Sequence, residues 1–292
     1  MILGADRLQV IQNIKDRLLQ GELNAKVEIG DPVLSPNEAR EITNRYLKER
    51  STLPFRFKSF LARMLANIGT FFINRNTEIV GDIDPEILKK GVIITSNHFS
   101  PLENTVIRHF VRKNGKKRLN IVSQVTNFAM GGVVGFLMNY ADTIPLSPDM
   151  RYFTRDLTAI IAEKLNNKET ILIYPEQEMW FNYRKPRPHK EGAYHFASKL
   201  GCPVVSCFVE IIDKDKLDTP DFYKTKYRLH ILGVLYPDEN KTDKENRKEM
   251  CKRDYEMRAS AYERIYGKKL DYKFNSSDIA GWIDYGWVYK NE

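Results

Sequence analysis

The stretch VIITSNHFSPLENTV, residues 92–106, decides how the rest of the chain is read. Val92, Ile93 and Ile94 form a continuous apolar run, as in a strand covered on both faces. Eight residues after Val92, Ser100, Pro101 and Glu103 have the spacing of a capping box: serine at the N-cap, proline at the first helical position, an acid at the third. The stretch therefore reads as a strand end running into a helix start, with His98 at the junction. On that geometry the His98 imidazole and the Glu103 carboxylate meet near a positive helix end, at the sheet edge where open α/β folds place their ligands. A single histidine and acid five residues apart is a weak pattern alone, and capping already gives Glu103 a structural use.

Outward from this junction the chain alternates. Strands are expected at 78–80, 92–96, 120–125, 143–146, 170–174, 204–209 and 227–234, with helices starting near Ser100, Asn127, Met150 and Gly192. Such alternation predicts an α/β fold with a central, mostly parallel or mixed sheet flanked by helices. Three regions follow: an N-terminal helical region over 1–75, the α/β domain over 76–240, and a C-terminal charged helix and aromatic tail over 241–292 that folds back to cover Trp282 and Trp287. Residues 53–75, LPFRFKSFLARMLANIGTFFINR, mix Phe, Leu and Ile with Arg56, Lys58 and Arg63. This composition suits a helix lying in a bilayer interface, or an ordinary core helix.

The chain has 292 residues, 42% hydrophobic and 29% charged, enough to bury a full core. Lys and Arg outnumber Asp and Glu by 46 to 38, and the net charge of +8 favours an anionic partner. Cys202, Cys207 and Cys251 form no metal-binding pair, so no metal is expected and a reducing setting is. The N-terminal stretch lacks the apolar run of a secretory signal. No span stands out: residues 64–74 make an apolar run of eleven, where crossing needs roughly 20, and the uncharged 119–141 is crowded with Asn, Ser, Gln, Thr and Gly. P-loop, GxGxxG, GxSxG and HExxH motifs are all absent, which leaves nucleotide-dependent, serine-hydrolase and zinc-protease chemistry without an anchor.

Two further blocks follow the first: ILIYPEQEMW at 171–180 and KEGAYHFASKLGCPVVSCFV at 190–209. Taken in order, the three resemble the lysophospholipid acyltransferase family, which includes the 1-acylglycerol-3-phosphate acyltransferases. SNHFSPLEN resembles the family's NHxSxxD block, with His98 and Glu103 in the catalytic places. YPEQEMW resembles its YPEGTRS block through Tyr174, Pro175 and Glu176, and the third matches through Lys190, Gly192, Ala197, Gly201 and Pro203. The likeness covers roughly 75–235. It implies a glycerolipid acyltransferase-like fold and a membrane-peripheral O-acyltransferase that moves a fatty acyl group from acyl-CoA or acyl-carrier protein, as cosubstrate, to a lipid acceptor. No cofactor is implied.

Departures accompany the likeness. Glutamate stands for aspartate at 103, and Gln177, Glu178 and Met179 stand where the family has Gly-Thr-Arg. ADTIPLSPDMR, at 141–151, lacks the arginine the family carries there. These are the arginines the family would use to hold an acceptor phosphate, so a lysophospholipid and another hydroxylated lipid both remain open. Replacement cations are expected from Arg184, Lys185, Arg187 and Lys190, in FNYRKPRPHKEG, and from Arg151 and Arg155. With Glu176 and Gln177, the four cations of that loop, Arg184, Lys185, Arg187 and Lys190, make the expected substrate-binding set, and 128–140, FAMGGVVGFLMNY, is the candidate lining for the acyl chain.

Acyl transfer to a hydroxyl needs a base, and histidine, with an ordinary pKa of about 6.5, suits that task. His98 would take the proton and Glu103 would orient the ring, with no enzyme nucleophile. The expected partners are an anionic membrane surface, the acyl donor and the lipid acceptor, with a cytoplasmic location peripheral to the inner face of the cell membrane. A catalytically silent lipid-binding protein on the same fold is the alternative. A nucleic-acid partner is not expected: RKNGKKR at 112–118 reads as a turn and lacks the aromatic interleaving of such sites.

Overall fold

A computed structural model describes residues 6–284. Seven strands, β1 (Glu78–Val80), β2 (Val92–Thr95), β3 (Leu119–Gln124), β4 (Thr143–Leu146), β5 (Thr170–Ile173), β6 (Val204–Thr219) and β7 (Phe222–Leu235), form one sheet in the order β1-β7-β6-β2-β5-β3-β4. All neighbours are parallel except β6 and β7, an antiparallel hairpin, so the sheet is mixed. The seven expected strands are all present, and the last two run further than expected. Their outer halves, with alternating Asp and Lys in β6, pair with each other beyond the end of β2 as a largely solvent-facing ribbon.

The apolar runs in β2 and β5 are covered on both faces. Ile93, Ile171 and Val204 point to one side, where they pack with residues of α2 (Pro36–Glu49), α7 (Thr158–Asn166), α8 (Gly192–Leu200) and α9 (Asp243–Tyr266). Val92, Ile94, Leu172 and Val205 point to the other, against α4 (Pro85–Lys89) and α5 (Asn104–Lys113). Each such fully buried aliphatic side chain contributes about 2 kcal/mol through removal from water. α5 follows β2 on one face and α8 follows β5 on the other, the arrangement that in open α/β sheets places ligands at the C-terminal strand ends.

The expected capping box is displaced. α5 starts at Asn104, with Glu103 at its N-cap, and residues 101–103 form a turn before it. Glu103 still accepts the Ser100 N–H, at 2.6 Å, but the Ser100 hydroxyl accepts the Leu102 N–H at 3.2 Å, instead of that of Glu103. The reason is a competing partner: the other Glu103 oxygen is taken by His98.

Two N-terminal elements bear on function. α1 (Arg7–Gln20) buries Val10, Ile11, Ile14 and Leu18 in a cluster with Trp180, Phe181, Tyr183 and Phe222, so it packs on the segment that follows β5. α3 (Leu53–Asn74) is built inside out: it buries Ser59, Ala62, Thr70 and Asn74 and exposes Phe57 (63%), Phe60, Leu65, Ile68, Phe71 and Phe72 (66%). Polar contacts hold its inner face, through Arg63 bidentate to Asp142 at 2.6 and 2.9 Å and Asn74 to the Thr105 hydroxyl at 2.8 Å. α6 (Gly132–Tyr140) packs beside it and adds exposed Val133 and Val134 to the same apolar surface, while Phe128 lies in the core. At the C-terminus, Trp282 meets Phe274 at 6.3 Å and bridges Phe222. Trp287 lies outside the described residues.

Candidate active site

Asn97 pins the end of β2 to β6. Its side chain donates to the Val209 carbonyl at 3.0 Å and accepts the Val209 N–H at 2.8 Å, which fixes the backbone on which His98 sits. His98 presents Nδ1 to Glu103 Oε1 at 2.6 Å, and its ring stacks on Tyr174 with centroids 4.1 Å apart and planes 10° off parallel. Glu103 is buried and both its oxygens are engaged, so it cannot swing away. An ionised carboxylate at Nδ1 makes that nitrogen the protonated one and leaves Nε2 as the basic nitrogen. Among the described residues Nε2 meets no partner, and the His98 side chain is 22% exposed. Burial and the nearby Glu103 charge push the Tyr174 phenol up, so it stays protonated beside the pair.

The second block behaves differently from its expected role. Glu176 is buried and bound by Arg187, whose Nε and Nη2 approach Oε2 at 3.1 and 2.9 Å and whose backbone N–H reaches Oε1 at 3.3 Å. Arg187 is fully buried. It also donates to the carbonyls of Leu23 (3.3 Å), His98 (3.5 Å) and Glu178, and lies over the Trp180 ring at 4.6 Å. Neither member of this pair is free to grip a substrate; together they lock the second block to the first. Gln177 is exposed and has a φ of +68°, in the left-handed region. The family resemblance places a glycine there, and this backbone shows why: a side chain in that conformation costs about 1 kcal/mol.

Arg184 pairs with Asp213 at 2.6 Å and donates to the Ser277 carbonyl at 2.5 Å, while Lys185 sits between Asp278 (2.8 Å) and Asp271 (3.1 Å). Both fasten the C-terminal segment. Lys190 is exposed, its N–H bound to the Pro175 carbonyl at 2.8 Å, and its ammonium makes no ion pair among the described residues. Thus His98, Glu103, Glu176 and Arg187 come together, Gln177 and Lys190 border them, and Arg184 and Lys185 serve elsewhere. The N–H groups of Gln177 and Glu178 are bound to the Tyr174 and Glu176 carbonyls at 3.1 and 3.0 Å and so are engaged within the loop. All three cysteines are buried free thiols, each pushed up to about 12 by burial and so poor nucleophiles.

Sequence reasoning missed the connection between α1 and α2. Asn24 donates to the carbonyls of Glu176 (3.2 Å) and Pro188 (2.7 Å), and the Ala25 carbonyl accepts the Trp180 indole N–H at 2.9 Å. No local pattern marks those residues.

A partly exposed histidine paired with a buried acid at a sheet edge is an arrangement able to take a proton from a bound hydroxyl. Residues 78–210, from β1 into β6, match the Acyltransferase family model. That stretch, somewhat under half of the chain, is therefore similar to an acyltransferase domain. Among solved structures, PlsC, the 1-acyl-sn-glycerophosphate (LPA) acyltransferase of Thermotoga maritima, is similar at 16% identity with a TM-score of 0.47, over 80% of this chain and 100% of that one. None of the curated proteins matches the chain.

Proposed function

We propose that the protein is a membrane-peripheral O-acyltransferase that moves a fatty acyl group from acyl-CoA or acyl-carrier protein to the hydroxyl of a lysophospholipid or related lipid, with His98 as general base. The observation that carries this reading is the 2.6 Å contact between His98 Nδ1 and a doubly held Glu103, which leaves Nε2 without a partner among the described residues on a ring that is 22% exposed. His98 Nε2 takes the acceptor hydroxyl proton as the oxygen attacks the thioester carbonyl. The tetrahedral oxyanion collapses, the C–S bond breaks, and the same proton passes to the departing sulfur. Glu103 stabilises the imidazolium between those two transfers. With every cysteine buried and protonated, direct transfer without an acyl-enzyme is the simpler route.

The inside-out α3 supports a membrane surface as partner. Its exposed Phe and Ile residues, joined by Val133 and Val134, form an apolar face flanked by exposed Arg56 and Lys58. No helix among the described residues is long and apolar enough to cross a membrane. Lys190 and Arg151, exposed and without ion pairs among the described residues, are the cations that suit the diphosphate of coenzyme A.

The test is thiol release from palmitoyl-CoA and palmitoyl-acyl-carrier protein with a panel of lysolipids. Acceptor-dependent release that falls by about 10³-fold in His98→Ala supports the reading. Equal release by both proteins defeats it. Flotation with anionic vesicles tests the membrane face: Phe57→Ser with Phe72→Ser abolishes co-flotation and leaves the melting temperature unchanged, because neither ring packs in the core.

A further inference from the structure

Tyr174 leaves β5 directly, next to the end of β2 that leads to His98, because Thr95 lies opposite Ile173 in the parallel pair. Pro175 follows and biases Tyr174 toward extended backbone, since a proline ring clashes with a helical residue before it. The loop holds this junction on both sides. The Tyr174 carbonyl accepts the Gln177 N–H at 3.1 Å, and the Pro175 carbonyl accepts the Lys190 N–H at 2.8 Å. The side chain packs against the cluster that contains Ile94 and Leu172, and its face lies on the His98 imidazole, centroids 4.1 Å apart and planes 10° off parallel.

The Tyr174 hydroxyl is buried and meets no hydrogen-bond partner among the described residues, and both Glu103 oxygens are already taken by His98 and the Ser100 N–H. The part of Tyr174 that engages the site is therefore its ring face. Glu103 alone leaves the base free to rock. Its contact with Nδ1 holds one corner of the imidazole, and a hydrogen bond keeps most of its strength when bent by about 30°. Rocking about that corner sweeps Nε2, the nitrogen left to take a proton, out of line. A stacked ring opposes the movement, because any tilt opens a gap between two faces in contact.

We propose that Tyr174 is a positioning residue for the reaction, its ring face fixing the plane of the His98 imidazole so that Nε2 keeps one direction. This rests on the acyltransferase reading above and deepens it. The two supports divide the work: the Glu103 carboxylate decides which nitrogen carries the proton, and the Tyr174 ring decides where the other one points.

The test reads the base with and without turnover. Tyr174→Leu removes the face and keeps an apolar side chain against Ile94 and Leu172, whereas Tyr174→Phe keeps the face and removes the hydroxyl. In the thiol-release assay Tyr174→Leu is expected to lower kcat by about 10²-fold, the cost of a reacting atom misplaced by about 1 Å, with KM little changed, and Tyr174→Phe to recover most of that loss. Proton NMR without substrate follows the His98 ring signals, assigned by their disappearance in His98→Ala. The ring current of the stacked face is expected to hold them upfield in the native protein and in Tyr174→Phe, and they move downfield in Tyr174→Leu. Signals that stay in place in Tyr174→Leu overturn the proposal, because the faces then do not meet. A native kcat per folded molecule in Tyr174→Leu, whatever its melting temperature, overturns it too and marks a merely structural ring. So does a Tyr174→Phe enzyme as slow as Tyr174→Leu with native ring signals, since the hydroxyl would then be the active part. If the native protein releases no thiol with any acceptor, the acyltransferase reading fails, and the ring signals still decide whether Tyr174 fixes the imidazole.

Discussion

Two buried carboxylates grip the chain within three residues of each other at the end of β2. Asp254, on α9, accepts the hydroxyls of Thr95 at 2.6 Å, Tyr194 at 2.5 Å and Ser206, and Arg258 approaches it at 3.3 Å. His189 lies 4.0 Å away, its imidazole pushed down to about 3 by burial and by the Arg258 charge, and therefore neutral. Nothing in this cluster reaches solvent. Glu103 holds a backbone N–H and one imidazole, and that imidazole opens to water. A carboxylate whose donors are all internal ties β2, β6, α8 and α9 together; one that orients a partly exposed imidazole leaves that ring able to exchange a proton with a bound molecule.

The contrast yields three predictions in falling order of effect. Glu103→Gln keeps the shape but withdraws the charge that stabilises the imidazolium and fixes its tautomer. Turnover is expected to fall by about 10²- to 10⁴-fold with a nearly unchanged melting temperature. A variant of normal turnover would show that Glu103 is only a cap. Asp254→Asn should do the reverse, costing about 3 kcal/mol of stability by leaving Arg258 buried without its counter-charge, while folded molecules keep most of their turnover. Urea unfolding alongside the thiol assay reads both, and a turnover loss as large as that of Glu103→Gln would erase the distinction between the two acids. The smallest effect belongs to Gln177→Gly, which relieves the left-handed backbone and is expected to alter stability by no more than about 1 kcal/mol, readable in the same urea titration. A large loss would mean that the Gln177 side chain makes a contact that matters.

What was legible in the sequence was local. The apolar run of β2 and the meeting of His98 with Glu103 each depend on a few neighbouring residues, and each is found where the pattern placed it. The capping box slipped because one carboxylate has two suitors, Ser100 N–H and His98, and spacing alone does not rank them. Arg184, Lys185 and Arg187 read as a basic loop ready for phosphate. Their acids, Asp213, Asp271, Asp278 and Glu176, lie 11 to 93 residues away or are drawn in by the fold, and no periodicity reports such pairings. Asn24 and Ala25 were invisible for the same reason, since their partners Glu176 and Trp180 lie more than 150 positions away.

That last separation has a meaning in time. Asn24 is 152 residues ahead of the Glu176 carbonyl it holds, and Leu23 is 164 ahead of Arg187. At a synthesis rate of roughly 5–20 residues per second, the first helix waits about 8–33 seconds before the surface it packs against exists. Its apolar stripe of Val10, Ile11, Ile14 and Leu18 must be sheltered through that interval. The beginning of the chain is thus among the last parts to settle.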